Sequence, residues 1–418
     1  MHSLFSNEEL NNTFNLFLNK LLNFNFSSLW NLNLYFKIQK MKDLFKGDMM
    51  INLIKLSFDI GDLTINAFNA IIESDIIINY DNIDLDDLDS YIRDKEIILR
   101  QEDESEEDSN VYSNIKKGYS LIELAISKSY NNNVTVICSN SSNIYGIANL
   151  LIQISSKHED VELKIYPGVS PIDYSSAVLG APLNDFAAID LNNPIESSNE
   201  LENKIKMALE NDFVLFVHNL KGNEFISNED QNNNYNRLKE IVSDFNEDLL
   251  VGIVNDNYSY EICKFKDIRD EVINESSTLI IGNKLTYRLE DYMVTSCDYI
   301  VKPKFISQNM DFFERYLKDE TPKGIDHDCD YLPCHKKLES CDFCYCPFYP
   351  CADGLTGGEW IKGKNVWSCQ HCDWIHLEEP CKAIREGLDD ILKEPNDLKT
   401  KHIELLKLRR ECLLKTLK

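Results

Sequence analysis

Positive charge is what this sequence is short of. Its 43 lysines and arginines face 70 aspartates and glutamates, a formal net charge of -27 over 418 residues. A surface so acidic repels polyanions, which argues against nucleic acid or an anionic membrane as the main partner and leaves small molecules or proteins. A long apolar run is also missing. Near Met1, Glu8, Glu9 and repeated asparagines break the Leu/Phe pattern, and no small-residue cleavage site follows. Secretion and membrane spanning are therefore not expected, and a cytoplasmic location is. Cysteine is scarce over most of the chain, where only Cys138, Cys263, Cys297 and Cys412 occur, yet nine crowd into residues 329–381. Clustered thiols of this kind read as metal ligation, not as a disulfide framework.

What is present suffices for two or three domains, with 43% hydrophobic and 10% aromatic residues to build their cores. Residues 1–48 are rich in Asn, Leu and Phe and read either as an appended docking helix or as sequence upstream of a start at Met41, Met49 or Met50. From there, short β-branched runs alternate with helical stretches: IIINY at 76, VTVIC at 134, VELKIY at 161, FVLFV at 213, VGIV at 251 and TLIIG at 278. Such continuous apolar runs predict strands buried on both faces of a mainly parallel sheet, an α/β fold with flanking helices. The acidic block EDESEED at 102–108 reads as a solvated loop. The boundaries expected are an α/β region over 50–301, a linker over 302–323, a cysteine-rich module over 324–381 and C-terminal helices over 382–418. Those helices are expected to cap the module or pack on the sheet.

Five segments carry a more specific signal: GDLTINAFNAIIESDIIINY at 61, SNIYGIANLLIQI at 142, YPGVSPIDYSSAVLGAPLNDFAAIDL at 166, VGIV at 251 and TLIIGNKLTYRLEDYMVT at 278. In this order they resemble the tetrapyrrole methylases, and most closely the branch that methylates C-17 of cobalt-factor III or precorrin-3 and contracts the ring during cobalamin synthesis. The resemblance implies methyl transfer from S-adenosylmethionine to a cobalt-corrinoid precursor, and pairing as a homodimer. Methyl transfer from a sulfonium is an in-line displacement, so the chain has to supply positioning and a water-poor cleft, not a nucleophile. Matched position by position, the resemblance implies that Ser139, Asn140, Ser141, Ile144, Ser170, Pro171, Val217 and Asn257 line the cofactor. No residue is assigned to catalysis.

The departures from the family pattern matter as much. Where a Gly-x-Gly-Pro-Gly loop is expected after the first strand, the chain has Lys55, Leu56, Ser57, Phe58 and Asp59, with glycine only at Gly61. Asn140 and Ser141 replace a Gly-Asp pair, Asn184 replaces a histidine, and HNLKG keeps only Lys221 and Gly222 of an Asn-Pro-x-Ser-Lys motif. Each lost charge-assisted hydrogen bond weakens cofactor binding by about 1.5 to 3 kcal/mol. Two readings therefore stand: an active methyltransferase, and a catalytically degenerate, metal-binding accessory protein of tetrapyrrole or cobalt metabolism.

In the cysteine-rich segment, the pairs Cys341/Cys344 and Cys369/Cys372 have the C-x2-C spacing that sets two thiolates on one turn. Zinc is expected, with iron–sulfur as the rival, since the C-x2-C-x2-C run of ferredoxins is absent. Twelve acidic and five basic residues between 319 and 381 do not make a nucleic-acid-reading finger. Trp360, Trp367 and Trp374 are expected to form the module's core. Ligand arithmetic predicts two closed structural sites filled by Cys334, Cys341, Cys344, Cys346, Cys351, Cys369, Cys372 and His376, with Cys329, His335, His371 and Cys381 held in reserve. CxYxPCH, CxFCYCP and CSxC…H resemble a family of small cysteine-rich domains, sometimes fused to cobalamin-synthesis proteins.

Overall fold

The computed structural model describes residues 49–56, 60–100, 111–139, 146–158, 160–191, 197–220, 228–255, 257–274, 276–296, 307–364 and 366–417. The expectations for residues 1–48 and for the acidic block at 102–108 lie outside them.

One sheet takes the first five strands, β1 (Met49–Lys55), β2 (Ile76–Asn79), β3 (Glu96–Leu99), β4 (Val134–Cys138) and β5 (Val161–Tyr166), in the order β3-β2-β4-β1-β5. Every pair in it is parallel. Successive side chains point to opposite faces. Ile54, Ile77 and Ile137 therefore meet α1 (Ile65–Ile72) on one side. Ile51, Leu53, Ile76, Ile78, Val134 and Val136 meet α2 (Val111–Ser129) and α3 (Gly146–Ser155) on the other. Both faces are covered, which is why these runs are apolar throughout. VELKIY is the exception: β5 lies at the sheet edge and alternates between half-buried and exposed positions.

The chain then enters a second unit through α4 (Pro171–Leu179), whose start is fixed by the Ser170 cap and by proline at its first position. After the short β6 (Gly180–Ala181) come β7 (Phe186–Asp190), α5 (Ser198–Glu210), β8 (Val214–His218), α6 (Asn228–Asn246), β9 (Leu250–Val254), β10 (Tyr260–Lys264) and β11 (Thr278–Ile281). They build a sheet in the order β10-β9-β11-β8-β7. Only β7 and β8 are parallel there, and the other three pairs are antiparallel. Leu215, Val217, Val251, Ile253 and Ile281 face α5 and α6, while Val214, Phe216, Val254 and Ile280 face Tyr174 and Leu179 of α4. Gly252 makes that second contact possible, since a Cβ there would stand 2.4 Å from Leu179 Cδ1. The hairpin of β12 (Thr286–Leu289) and β13 (Tyr292–Thr295) pairs back onto β6.

The cysteine-rich module has a core of its own. Phe312, Phe313 and Tyr316 of α7 (Ser307–Leu317), Phe343, Phe348, Trp367 and Trp374 of the loops, Ile384 and Leu388 of α8 (Glu378–Ile391), and Leu405 and Leu413 of α9 (His402–Thr416) form one cluster. The C-terminal helices thus cap the module, and α7, which falls in the expected linker, packs with them. Leu285, just before β12, joins the same cluster, and Gly354 sits close under the Tyr287 hydroxyl. Trp360 departs from the expectation: it lies on the short hairpin of β14 (Glu359–Trp360) and β15 (Trp367–Ser368), 46% exposed, with its ring edge-on to Trp367 at 5.3 Å.

Candidate functional site

The carboxyl ends of the parallel strands are where turns expose backbone groups to a ligand. Ser139 follows β4 and Ser170 follows β5, with β1 between the two strands, so the ends of β4 and β5 are about 10 Å apart at ordinary strand spacing. The Ser139 N–H donates to Asp81 Oδ2 at 2.6 Å, which ties the turn after β4 to the turn after β2. Asn140, Ser141 and Ile144 lie outside the described residues. Ser170 spends its side chain locally: its hydroxyl donates to Asp173 Oδ2 at 2.7 Å and accepts from the Asp173 N–H. What the Ser170–Pro171 turn offers a ligand is therefore chiefly backbone.

Asn257 is brought to α4 from the second sheet. Tyr174, one turn into α4, donates from its hydroxyl to the Asn255 carbonyl and accepts from the Tyr258 N–H, and its ring lies 4.8 Å from that of Tyr258. The exposed Asn257 stands between those two anchors and accepts from the Ser259 N–H. Val217 is not brought to an open face. It is wholly buried, pairs with Leu279 and Ile189 on either side, and gives its side chain to the core against α5 and α6.

The next residue, His218, ends β8 and is half-buried. Burial holds its imidazole below the ordinary value, with Asp190 pulling it upward and Lys55 pushing it further down. Lys55, at the end of β1, is likewise lowered by burial, with Cys138 and Asp81 opposing the shift. Strands from both sheets thus deliver Lys55, Asp81, Asp190 and His218 to one electrostatic neighbourhood. Asp190 is further fixed by the Asn219 side-chain amide at 2.8 Å. The sequence flagged Lys55 and HNLKG only as departures from a pattern. That Lys55 and His218 meet across the two sheets depends on topology, which no local motif encodes.

In the module eight thiols fall into two neighbourhoods, and the ninth, Cys381, also senses Cys341. Cys344 senses Cys341, Cys334 and Cys329, and Cys334 senses Cys341 and Cys329. Cys346 senses Cys369, Cys351 and Cys372, and Cys369 senses Cys351 and Cys372. Burial pushes Cys369 up to about 12 and Cys372 up to about 11. Soft sulfur donors gathered in fours suit zinc chemically. An N–H···S bond from Asp326 to Cys341 at 3.4 Å is of the kind that stabilises a thiolate. The thiols are gathered but not drawn in: among the described residues, no three His, Cys, Asp or Glu side chains converge closely enough to hold an ion as they stand.

His376 stands apart from both groups. Its ring stacks on His335 at 4.1 Å, its Nδ1 lies 3.2 Å from the Ser340 carbonyl, and burial pushes it down to about 4. A ring nitrogen facing a carbonyl must be the protonated donor, so only Nε2 remains as a lone-pair site.

The chain matches the model of the tetrapyrrole (corrin/porphyrin) methylases over residues 59–255 and that of a cysteine-rich small domain over residues 321–399. It is 33% identical over 371 residues to a probable cobalt-factor III C(17)-methyltransferase of Methanothermobacter thermautotrophicus, covering 88% of this chain and 100% of that one. Over 74 residues it is 42% identical to an uncharacterized protein of Methanocaldococcus jannaschii, 17% of this chain and 61% of that one. Among solved structures, the methyltransferase CobJ superposes with a TM-score of 0.47 at 20% identity, covering 59% of this chain and 99% of that one.

Proposed function

Because this chain belongs to the tetrapyrrole (corrin/porphyrin) methylases, we propose that it transfers a methyl group from S-adenosylmethionine to C-17 of a cobalt-corrinoid precursor, with ring contraction, in cobalamin biosynthesis. The observation that carries this reading is the 33% identity running the full length of a relative bearing that name. When bound, S-adenosylmethionine supplies an electrophilic methyl group, so the chain's own work is to hold, orient and exclude water.

Ser139, held by Asp81, and the Ser170–Pro171 turn offer backbone hydrogen bonds at the carboxyl ends of β4 and β5, and Asn257 closes the cleft from the second sheet. Asn140, Ser141 and Ile144 belong to the same cofactor contact set in this reading, as does Val217 through its backbone. Lys55 and His218 stand where the corrinoid would enter. A cation there pairs with the carboxylate side chains of such a macrocycle, replacing the bare backbone of a glycine loop with charge recognition.

The module carries zinc in this reading, and the protein works as a cytoplasmic homodimer. Among the described residues, no helix is long and apolar enough to cross a membrane. The net charge of -27 supports a small-molecule substrate over nucleic acid.

Calorimetric titration with S-adenosylhomocysteine, followed by transfer of labelled methyl from S-adenosylmethionine to a cobalt-corrinoid precursor, tests the reading. Micromolar binding with turnover is expected. Absence of both heat and turnover would instead leave a metal-binding accessory protein that keeps the methylase scaffold for docking.

A further inference from the structure

Granted that S-adenosylmethionine binds at the carboxyl ends of β4 and β5, the reading on which this rests, we propose that Tyr258 seats its adenine ring. The eight residues of the cofactor contact set are serines, asparagines, a proline, an isoleucine and a valine, none of them aromatic. They suit the amino-acid and ribose ends of the cofactor and give its one flat aromatic group no matching surface. Tyr258, next in the chain to Asn257, offers one.

The backbone of Tyr258 is unusual for its residue type. Its φ is +60, in the left-handed region where a Cβ is crowded and a bulky residue is an outlier. Among the described residues, five of the other non-glycine positions with positive φ are asparagine or aspartate, which tolerate this region, and none is aromatic. The turn between β9 and β10 holds the conformation from several sides. The Tyr258 N–H donates to the hydroxyl of the buried Tyr174 at 2.8 Å, and that hydroxyl donates to the Asn255 carbonyl at 3.3 Å. The Asn255 N–H donates to the Ser259 carbonyl at 3.0 Å, its side-chain amide donates to Ser259 Oγ at 3.1 Å, and the Ser277 hydroxyl donates to Asn255 Oδ1 at 2.5 Å. A glycine would take up the same backbone without strain. What the tyrosine adds is its ring.

Core packing does not account for that ring. It is 51% exposed and meets Tyr174 at 4.8 Å between centroids, with 54° between the planes. Its position is set by α4. The Tyr174 N–H donates to the Ser170 carbonyl at 2.9 Å, so Tyr174 lies one helical turn, about 5 Å of axis, beyond the Ser170–Pro171 turn. Helical Cα–Cβ bonds tilt toward the N-terminus, so Tyr174 leans back toward that turn and carries Tyr258 with it. Tyr258 therefore stands on the side of the backbone groups that the reading gives to the cofactor, already held in place by Tyr174 before a second aromatic stacks on its exposed surface.

The test uses the full-length protein and two ligands, S-adenosylhomocysteine and S-ribosylhomocysteine, the same molecule without its base. Tyr258→Gly removes the ring and suits the left-handed backbone, so the fold should persist, as a urea titration would show. This variant should bind S-adenosylhomocysteine about ten- to a hundredfold more weakly, the scale of a base stacked on an aromatic side chain, with its affinity for S-ribosylhomocysteine unchanged. Tyr258→Phe, which keeps the ring, should bind both ligands as the natural chain does. Should the glycine variant fail to fold, Tyr258→Asn, which also tolerates positive φ, takes its place. Undiminished binding of S-adenosylhomocysteine by the folded variant, or equal weakening for both ligands, overturns the adenine seat while leaving the methyltransferase reading intact. Absence of heat when S-adenosylhomocysteine is titrated into the natural chain overturns both.

Discussion

Two single residues set tests, one in the module and one in the second sheet. Arg409 of α9 is 2% exposed, pairs with the equally buried Asp353 at 3.1 Å and reaches the Cys351 carbonyl. Removing one member of a buried pair strands the other charge, so Arg409→Met should destabilise the module by about 3–5 kcal/mol. Denaturation followed through the buried Trp367 and Trp374 measures this, and adding Asp353→Asn should recover part of the loss. His218 makes a prediction about acid. Its folded pKa is depressed, so below the ordinary value of 6.5 the unfolded chain binds a proton that the folded chain does not. Its contribution to stability is whole above that value and erodes as pH falls toward the folded pKa, with Asp190 and Lys55 the charges facing it. His218→Gln should shrink the difference in urea midpoint between about pH 7.5 and pH 5.5; an unchanged difference would place the acid sensitivity elsewhere.

Elements were legible in the sequence to the extent that their reasons were local. IIINY, VTVIC, FVLFV, VGIV and TLIIG all became central strands because both sheet faces are covered there. The direction of the strands in the second sheet was not legible, because an apolar run reads alike whether its neighbour is parallel or antiparallel. Of the positions named from motifs, Ser170 is half-buried and Asn257 exposed, whereas the side chain of Val217 went into the core because its side is decided by register with β7 and β11. His376 was chosen as a ligand by spacing alone, which does not show that its Nδ1 meets the Ser340 carbonyl and its ring stacks on His335, leaving Nε2 as the lone-pair site. Turns make an element-scale prediction. Gly357 combines φ +89 with a neighbouring carbonyl, while Gly363, at φ +73, has nothing within 4 Å of a would-be Cβ. Gly363→Ala should cost only the left-handed strain of about 1–2 kcal/mol. Gly357→Ala should in addition displace the Cys369/Cys372 turn, read as weaker zinc retention in a competition with a chelator. Equal retention by the two variants would count against the seating of that turn.

At the scale of the whole molecule, the α/β region and the module's cysteine loops depend on different forces. The two sheets are held by apolar layers, whereas the module's loops between residues 320 and 358 contain no strand and only a single-turn helix. Structural zinc contributes on the order of 10 kcal/mol to a small domain. Chelation should therefore abolish amide protection across the cysteine loops while β1, β4, β8 and β9 stay protected, as hydrogen exchange would show. Uniform loss of protection would mean that the two regions fold as one cooperative unit. The module nevertheless does not end where its cysteines do, because Leu285 from the far side of the linker fills part of its core. That one leucine makes the boundary a plug and socket. A chain cleaved between α7 and β13 leaves a module with an unfilled apolar socket and a methylase half with Leu285 protruding, so the two fragments, mixed in trans, should find each other again through it.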